Sequence, residues 1–157
     1  MPVKITLVKG ADLAPGTFLP RWGYSRRSES AKVKRAAELA GKKQARLHTL
    51  SIKGIDHGFV AVGIHQLKNH KQFYLNVIYL FVSAPFRKQQ IAELDGRLAS
   101  EYLLGHVITQ ALETCQFLPI NSIVLETASD KLYPLYESLG FSKVPDMTDW
   151  MSLPLPH

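Results

Sequence analysis

The stretch Leu132-Tyr133-Pro134-Leu135-Tyr136-Glu137-Ser138-Leu139-Gly140-Phe141 lies just behind the apolar run Ser122-Ile123-Val124-Leu125-Glu126, and its reading decides the fold. The run predicts a short buried strand. A helix should then begin near Ala128 to Asp130, present its apolar side through Leu132, Leu135 and Leu139, and stop at Gly140. Glycine suits the left-handed position that ends helices, and Phe141 can start the next strand.

Working toward the N-terminus, the spacing of Ile91, Leu94, Leu98, Tyr102, Gly105, Ile108, Leu112 and Cys115 predicts a long helix over most of Lys88 to Cys115, ended by Phe117 to Asn121 with Pro119. Before it, Ala45 to Ile52 and Phe59 to Gln66 predict a hairpin around Gly54 to Gly58. Phe73 to Val82 predicts a third strand after the polar turn Lys68 to Lys71. Ser28 to Gln44 reads as a helix with Ser28 as its cap, and Ile5 to Val8 as the first strand. Past Phe141, a closing strand is expected around Trp150 to Leu155. No internal repeat or linker interrupts the chain, so a single domain over residues 1–157 is expected.

Composition narrows the class. The 157 residues, 46% hydrophobic, suffice for one core. Cys115 is the sole cysteine, which excludes an intrachain disulfide and fits a reducing, cytoplasmic setting. No signal peptide is expected, because Met1-Pro2-Val3-Lys4 runs straight into a strand-like segment, and the longest apolar run, Val77 to Val82, is too short for a bilayer, so no membrane is expected. The six histidines show no ligand spacing for a metal, and no Gly-x-Ser-x-Gly elbow marks a hydrolase.

Charge is concentrated. Of a net +6, the segment Arg21 to Arg46 holds nine basic residues (Arg21, Arg26, Arg27, Lys32, Lys34, Arg35, Lys42, Lys43, Arg46) against Glu29 and Glu38, a surplus of seven, so the remainder sums to −1. Such a field suits a phosphate-rich partner or an acidic protein, and equally a solvated helix face.

Strand, helix, three strands, helix, strand, helix, strand, strand, with Tyr136-Glu137-Ser138-Leu139-Gly140-Phe141 ending the last helix, resembles the GNAT N-acetyltransferase superfamily. The resemblance implies an α/β (α+β) fold with a mixed central sheet of six to seven strands flanked by helices, and acetyl-CoA as co-substrate. Over Leu98 to Leu155 it is nearest to bacterial toxin-type acetyltransferases, which acetylate the α-amine of aminoacyl-tRNA. That likeness implies tRNA, an antitoxin protein and a second copy of the chain as partners. A small-amine or antibiotic acetyltransferase and a non-catalytic CoA- or protein-binding domain are the alternatives.

The family's pyrophosphate motif, Arg/Gln-x-x-Gly-x-Gly/Ala, is met at Arg87 and Ala92, with Gln90 in place of the central glycine. By this registration Leu80, Phe81, Val82, Arg87, Lys88, Gln89, Gln90, Ile91 and Ala92 are the cofactor-binding residues. A second registration places the motif on Asp95-Gly96-Arg97-Leu98-Ala99-Ser100, which brings Leu103-Leu104 onto the family's leucine pair. Tyr136 matches the tyrosine that protonates the departing CoA thiolate. A phenol near pKa 10 against a thiol near about 8.5 stays protonated at neutral pH. Tyr133, one turn earlier, is the further cofactor-site tyrosine. Glu126, at the end of its strand, is the candidate general base. An α-amine near pKa 8 needs less help from a base than a lysine near about 10.4.

Overall fold

The computed structural model of the chain describes residues 2–66, 72–127, 132–145 and 147–156. Seven strands, β1 (Val3–Leu7), β2 (Arg46–Ile52), β3 (Ile55–Gln66), β4 (Phe73–Val82), β5 (Ile120–Glu126), β6 (Ser142–Lys143) and β7 (Trp150–Pro154), form one sheet in the order β1-β2-β3-β4-β5-β7-β6. The helices are α1 (Pro15–Phe18), α2 (Arg27–Gly41), α3 (Ala99–Thr114) and α4 (Tyr133–Ser138). β1–β2, β2–β3, β5–β7 and β6–β7 pair antiparallel, and β4–β5 pair parallel, so the sheet is mixed as expected. The chain divides into two compact units, Met1–Val62 with Tyr79–Leu104, and Gly63–Ile78 with Gly105–His157.

In the first unit, α2 buries Val33, Ala36, Ala37 and Ala40, a stripe of small side chains at three- and four-residue spacing that lets the helix lie close to β2. The β2–β3 hairpin is tighter than the sequence suggests. Ile52 faces Ile55 across Lys53 and Gly54, whose φ values of 53° and 79° belong to a two-residue turn. The register then slips between Leu50 and Ser51, so that Ser51 faces Asp56 and Leu50 faces Gly58. Residues 55–58 thus extend the strand instead of the loop. Phe18, Trp22, Phe59 and Phe81 interlock edge-on or tilted at centroid distances of 5.3 to 5.9 Å and form the centre of this unit's core.

The expected long helix is corrected. Asp95 (φ 58°) and Gly96 (φ 80°) are both left-handed, which no right-handed helix passes through. Residues 87–98 instead form a loop closed by the Ile91↔Arg97 bridge, with a 3-10 turn at Ala92–Leu94. Ile91 and Leu94, whose helical spacing prompted the longer helix, are buried as the anchors of that loop. Helix α3 then buries Ala99, Leu103, Leu104, Val107 and Ala111, while Leu112 is exposed.

In the second unit, β5 lies between β4 and β7, with Ile123, Leu125 and Met151 fully or nearly fully buried. The expected helix start at Ala128 to Asp130 lies outside the described residues, as does the turn Lys68 to Lys71. Helix α4 is followed by Gly140 at φ 102°, the left-handed stop read from the sequence. Its buried side chain is Tyr136, however, whereas Leu132 is exposed. The ring replaces the leucine as the contact of this short helix with its core, edge-on to Phe141 at 6.2 Å.

Candidate functional site

The residues singled out by the sequence fall into two groups, one in each unit. The β4–β5 ladder lies within the second unit, registered from Phe73↔Ile120 to Val77↔Leu125, and ends there, whereas Tyr79 to Val82 belong to the first unit. Phe81 is buried, and Leu80 and Val82 are half-buried. Ser83 N donates to His57 O at 2.8 Å, which holds the strand's exit against β3. Phe86, in the turn Ala84–Phe86, stacks on the His57 ring at 3.8 Å. Lys53, from the β2–β3 turn, reaches Glu93 at 3.3 Å. Two anchors thereby fix the ends of the loop that carries Arg87 to Ala92.

Within that loop, Lys88, Gln89 and Gln90 are exposed, Gln89 Nε2 donates back to Pro85 O at 2.7 Å, and Ala92 opens the 3-10 turn. Arg87 is committed. Its Nε donates to Val82 O at 2.7 Å, its Nη1 to Ser25 Oγ at 2.8 Å, and its Nη2 lies 2.7 Å from Glu29 Oε2. The guanidinium also lies over the Phe81 ring.

A cradle of helix-start amides occurs at the second registration. The first bond of α3 runs from Tyr102 N to Leu98 O, which leaves the amides of Ala99, Ser100 and Glu101 outside the helix ladder. Such amides, with the positive end of the helix dipole, suit a diphosphate. The Glu101 carboxylate accepts from Leu98 N at 3.2 Å and sets a negative charge beside them. Sequence reasoning missed this cap, although Leu98-x-x-Glu101 carries the acidic half of a capping box.

In the second unit, burial pushes the Tyr136 hydroxyl above its ordinary pKa of 10.0, so it is protonated at neutral pH. The Tyr136 carbonyl accepts from Leu139 N and Phe141 N and fixes the helix end. Tyr133 is employed differently. Its hydroxyl stands 3.4 Å from Asp149 Oδ1, and Lys143 Nζ lies over its ring at 4.5 Å, which ties the helix to the turn before β7. Glu126 ends β5 opposite Trp150, with an exposed side chain.

The basic segment maps onto α2 and its flanks. Arg21 is removed from the cationic set, because its guanidinium is held bidentately by Asp56 at 2.9 and 3.0 Å and lies over Phe18 and Trp22. Arg26, Arg27, Lys32, Lys34, Arg35, Lys42, Lys43 and Arg46 are exposed, and none of these eight has an ion-pair partner among the described residues. Among the described residues no helix is long and apolar enough to cross a membrane.

The chain superposes over nearly its whole length on solved toxin structures. It matches a crystal structure of AtaTR bound with AcCoA at a TM-score of 0.77 and 13% identity, covering 98% of this chain and 93% of that one. The fold is that of the GNAT acetyltransferases. A KacTA–DNA complex matches at a TM-score of 0.75 and 14% identity, over 97% of this chain and 92% of that one. AtaT complexed with acetyl-methionyl-tRNAfMet matches at 0.72 and 14% identity, over 97% and 94%. No protein-family model matches the sequence and no curated protein does.

Proposed function

We propose that this chain is an acetyl-CoA-dependent N-acetyltransferase that transfers the acetyl group to an amine carried on a polyanion, the α-amine of an aminoacyl-tRNA. The observation that carries the reading is Tyr136, a buried phenol that is protonated at neutral pH, on the short helix where the superfamily places its general acid. The amine nitrogen attacks the thioester carbonyl carbon, the C–N bond forms and the C–S bond breaks. The departing thiolate takes the Tyr136 proton, and the amine's surplus proton passes to Glu126 or to water.

Three further features support the reading. Similar structures hold AcCoA and acetyl-methionyl-tRNAfMet, and others are Tyr-to-Phe variants of AtaT and KacT, a change that deletes one hydroxyl. The first turn of α3 offers amides to the CoA diphosphate, and Leu80 to Val82 offer backbone to the pantetheine arm. Eight exposed cations on and around α2, none with an ion-pair partner among the described residues, suit phosphates. An antitoxin, a second copy of the chain and a cytoplasmic setting belong to the same reading, since AtaT is also found bound to the C-terminus of the antitoxin AtaR.

The test is a thermal melt followed by a transfer assay. Acetyl-CoA at a hundredfold excess over its Kd should stabilise the fold by about 2.7 kcal/mol, and free adenosine should not. Labelled acetyl groups should then appear on aminoacyl-tRNA. A shift without transfer to any amine would favour the non-catalytic CoA-binding domain, and transfer to small amines alone would favour a small-amine enzyme.

A further inference from the structure

In the first unit, the segment that leads into the basic helix is fastened to the segment that leaves β4. Gly23 N donates to Ser83 Oγ at 2.6 Å, and Ala84 N donates to Gly23 O at 2.9 Å. A Cβ on Gly23 would stand 3.0 Å from Pro85 Cδ, so the two backbones are in close approach. Arg87 completes the fastening through Val82 O, Ser25 Oγ and Glu29 Oε2. The second carboxylate oxygen of Glu29 accepts from Ser25 N at 2.7 Å and Arg26 N at 3.0 Å. One carboxylate therefore joins the start of α2 to the arginine, and the arginine joins it to the last carbonyl of β4.

Arg87 spends one N–H of each of its three nitrogens on a protein oxygen, which holds the guanidinium in place between the two segments. Arg26 and Arg27, the first exposed cations of the α2 face, lie within three residues of Glu29. A phosphate drawn to those two side chains pulls on the turn that holds Glu29, and the contacts of 2.6 to 3.0 Å leave little slack before the Val82 peptide must follow.

We propose that Arg87 is a positioning residue that couples the polyanion face of α2 to the acyl-carrier site at the end of β4, so that each ligand strengthens the binding of the other. The inference rests on the acetyltransferase reading above. A first ligand that orders the shared clamp lowers the ordering cost left for the second, and the coupling must be the same in both directions.

The experiment titrates acetyl-CoA by calorimetry with and without saturating deacylated tRNA, which offers phosphates but no amine to acetylate. In the wild-type protein tRNA should tighten acetyl-CoA by about fivefold or more, within the usual range of coupled sites. Glu29→Gln keeps an oxygen for the Ser25 and Arg26 amides but loses the charge facing Arg87, and its ratio should fall to about one. Arg87→Lys should fall between, and Arg87→Gln with Glu29→Gln should be no worse than either alone. A ratio of one in the wild type, or an undiminished ratio in Glu29→Gln, overturns the proposal.

If acetyl-CoA does not bind the wild type, the acetyltransferase reading fails and the coupling fails with it. The clamp itself is then read without ligand by hydrogen exchange. Glu29→Gln, which loosens Arg87, should speed exchange at the Ala84 amide while leaving Ser25 and Arg26 protected, and unchanged exchange at Ala84 would show that no clamp joins the two segments.

Discussion

A Cβ placed on Gly58 would stand 2.5 Å from the carbonyl oxygen of Phe81 and 3.3 Å from the Cα of Val82. Leu103 Cδ1 also stands 3.2 Å away and can shift, but the shortest approach is to backbone, which no side-chain movement relieves. Gly58→Ala should therefore push β3 from the end of β4 and destabilise the fold by about 1–3 kcal/mol. For a chain of this size that lowers Tm by roughly 2–4 °C per kcal/mol. Acetyl-CoA should bind more weakly to the folded variant, and an unchanged melting curve would mean that the approach is not a constraint.

Tyr136→Phe removes a hydroxyl and keeps the ring against Phe141. Acetyl-CoA affinity should be retained while turnover falls by about 10² to 10⁴, the scale of a lost general acid. Because burial raises this phenol's pKa, ionisation of Tyr136 should limit the wild-type rate only above the ordinary phenol range. Equal turnover in both proteins would return Tyr136 to a purely packing role.

The two registrations of the pyrophosphate motif make opposite forecasts for Glu101. If the diphosphate sits on the first turn of α3, Glu101→Gln keeps an oxygen for the Leu98 amide, removes a repelling charge and should tighten acetyl-CoA. With the diphosphate held by Lys88 to Ala92, the affinity should not change. Binding by calorimetry at fixed ionic strength separates the two.

Charge reversal on α2 tests the acceptor. Replacing Lys32, Lys34 and Arg35 by Glu should abolish tRNA binding and spare transfer to a small amine. In the wild type, raising salt from 50 to 200 mM should weaken tRNA binding by on the order of 10³ for six phosphate contacts. A flat salt profile would make the face one that binds no nucleic acid.

Stability should depend on pH through Glu29 in the clamp and through Tyr79 on β4. Burial opposes the Glu29 charge, but bonds from the Ser25 amide, Arg87, the Arg26 amide and the Ser25 hydroxyl outweigh it and hold the carboxyl at about 2, below its ordinary 4.5. A lowered carboxyl pKa contributes stability above the unfolded value, and that contribution is lost as pH falls from 4.5 toward about 2. Tyr79 runs the other way: burial, followed by the charge of Glu29, pushes it to about 12, so its contribution is present below pH 10 and lost as pH rises toward about 12. Urea midpoints against pH should lose the acid slope in Glu29→Gln and the alkaline slope in Tyr79→Phe. Slopes equal to those of the wild type would refute the assignment.

The strands were legible because their patterns are local. Phe73 to Val82 forms the strand expected residue for residue, and Gly140 takes the left-handed conformation that its place after Leu139 demanded. The cationic segment was equally plain, since charge needs no structure to be counted. The helix read over Lys88 to Cys115 was not, because Ile91 and Leu94 satisfy helical spacing equally well as the two anchors of a loop. Periodicity reports which side chains are buried, and not which backbone path buries them.

What the sequence determined by itself is therefore the order of elements, the resemblance they carry and the position of Tyr136 at the end of a short helix. Tertiary structure alone decided that Arg21 is neutralised by Asp56, that Tyr133 is spent on Asp149, and that Arg87 meets Glu29 and Val82 instead of facing outward. The pairs are separated by 35, 16 and 58 residues, and Arg87 reaches Val82 across a turn of five. Propensity and spacing act over a few residues, whereas the partner that fixes a charged side chain's role is chosen by chain segments that meet only when the sheet has formed.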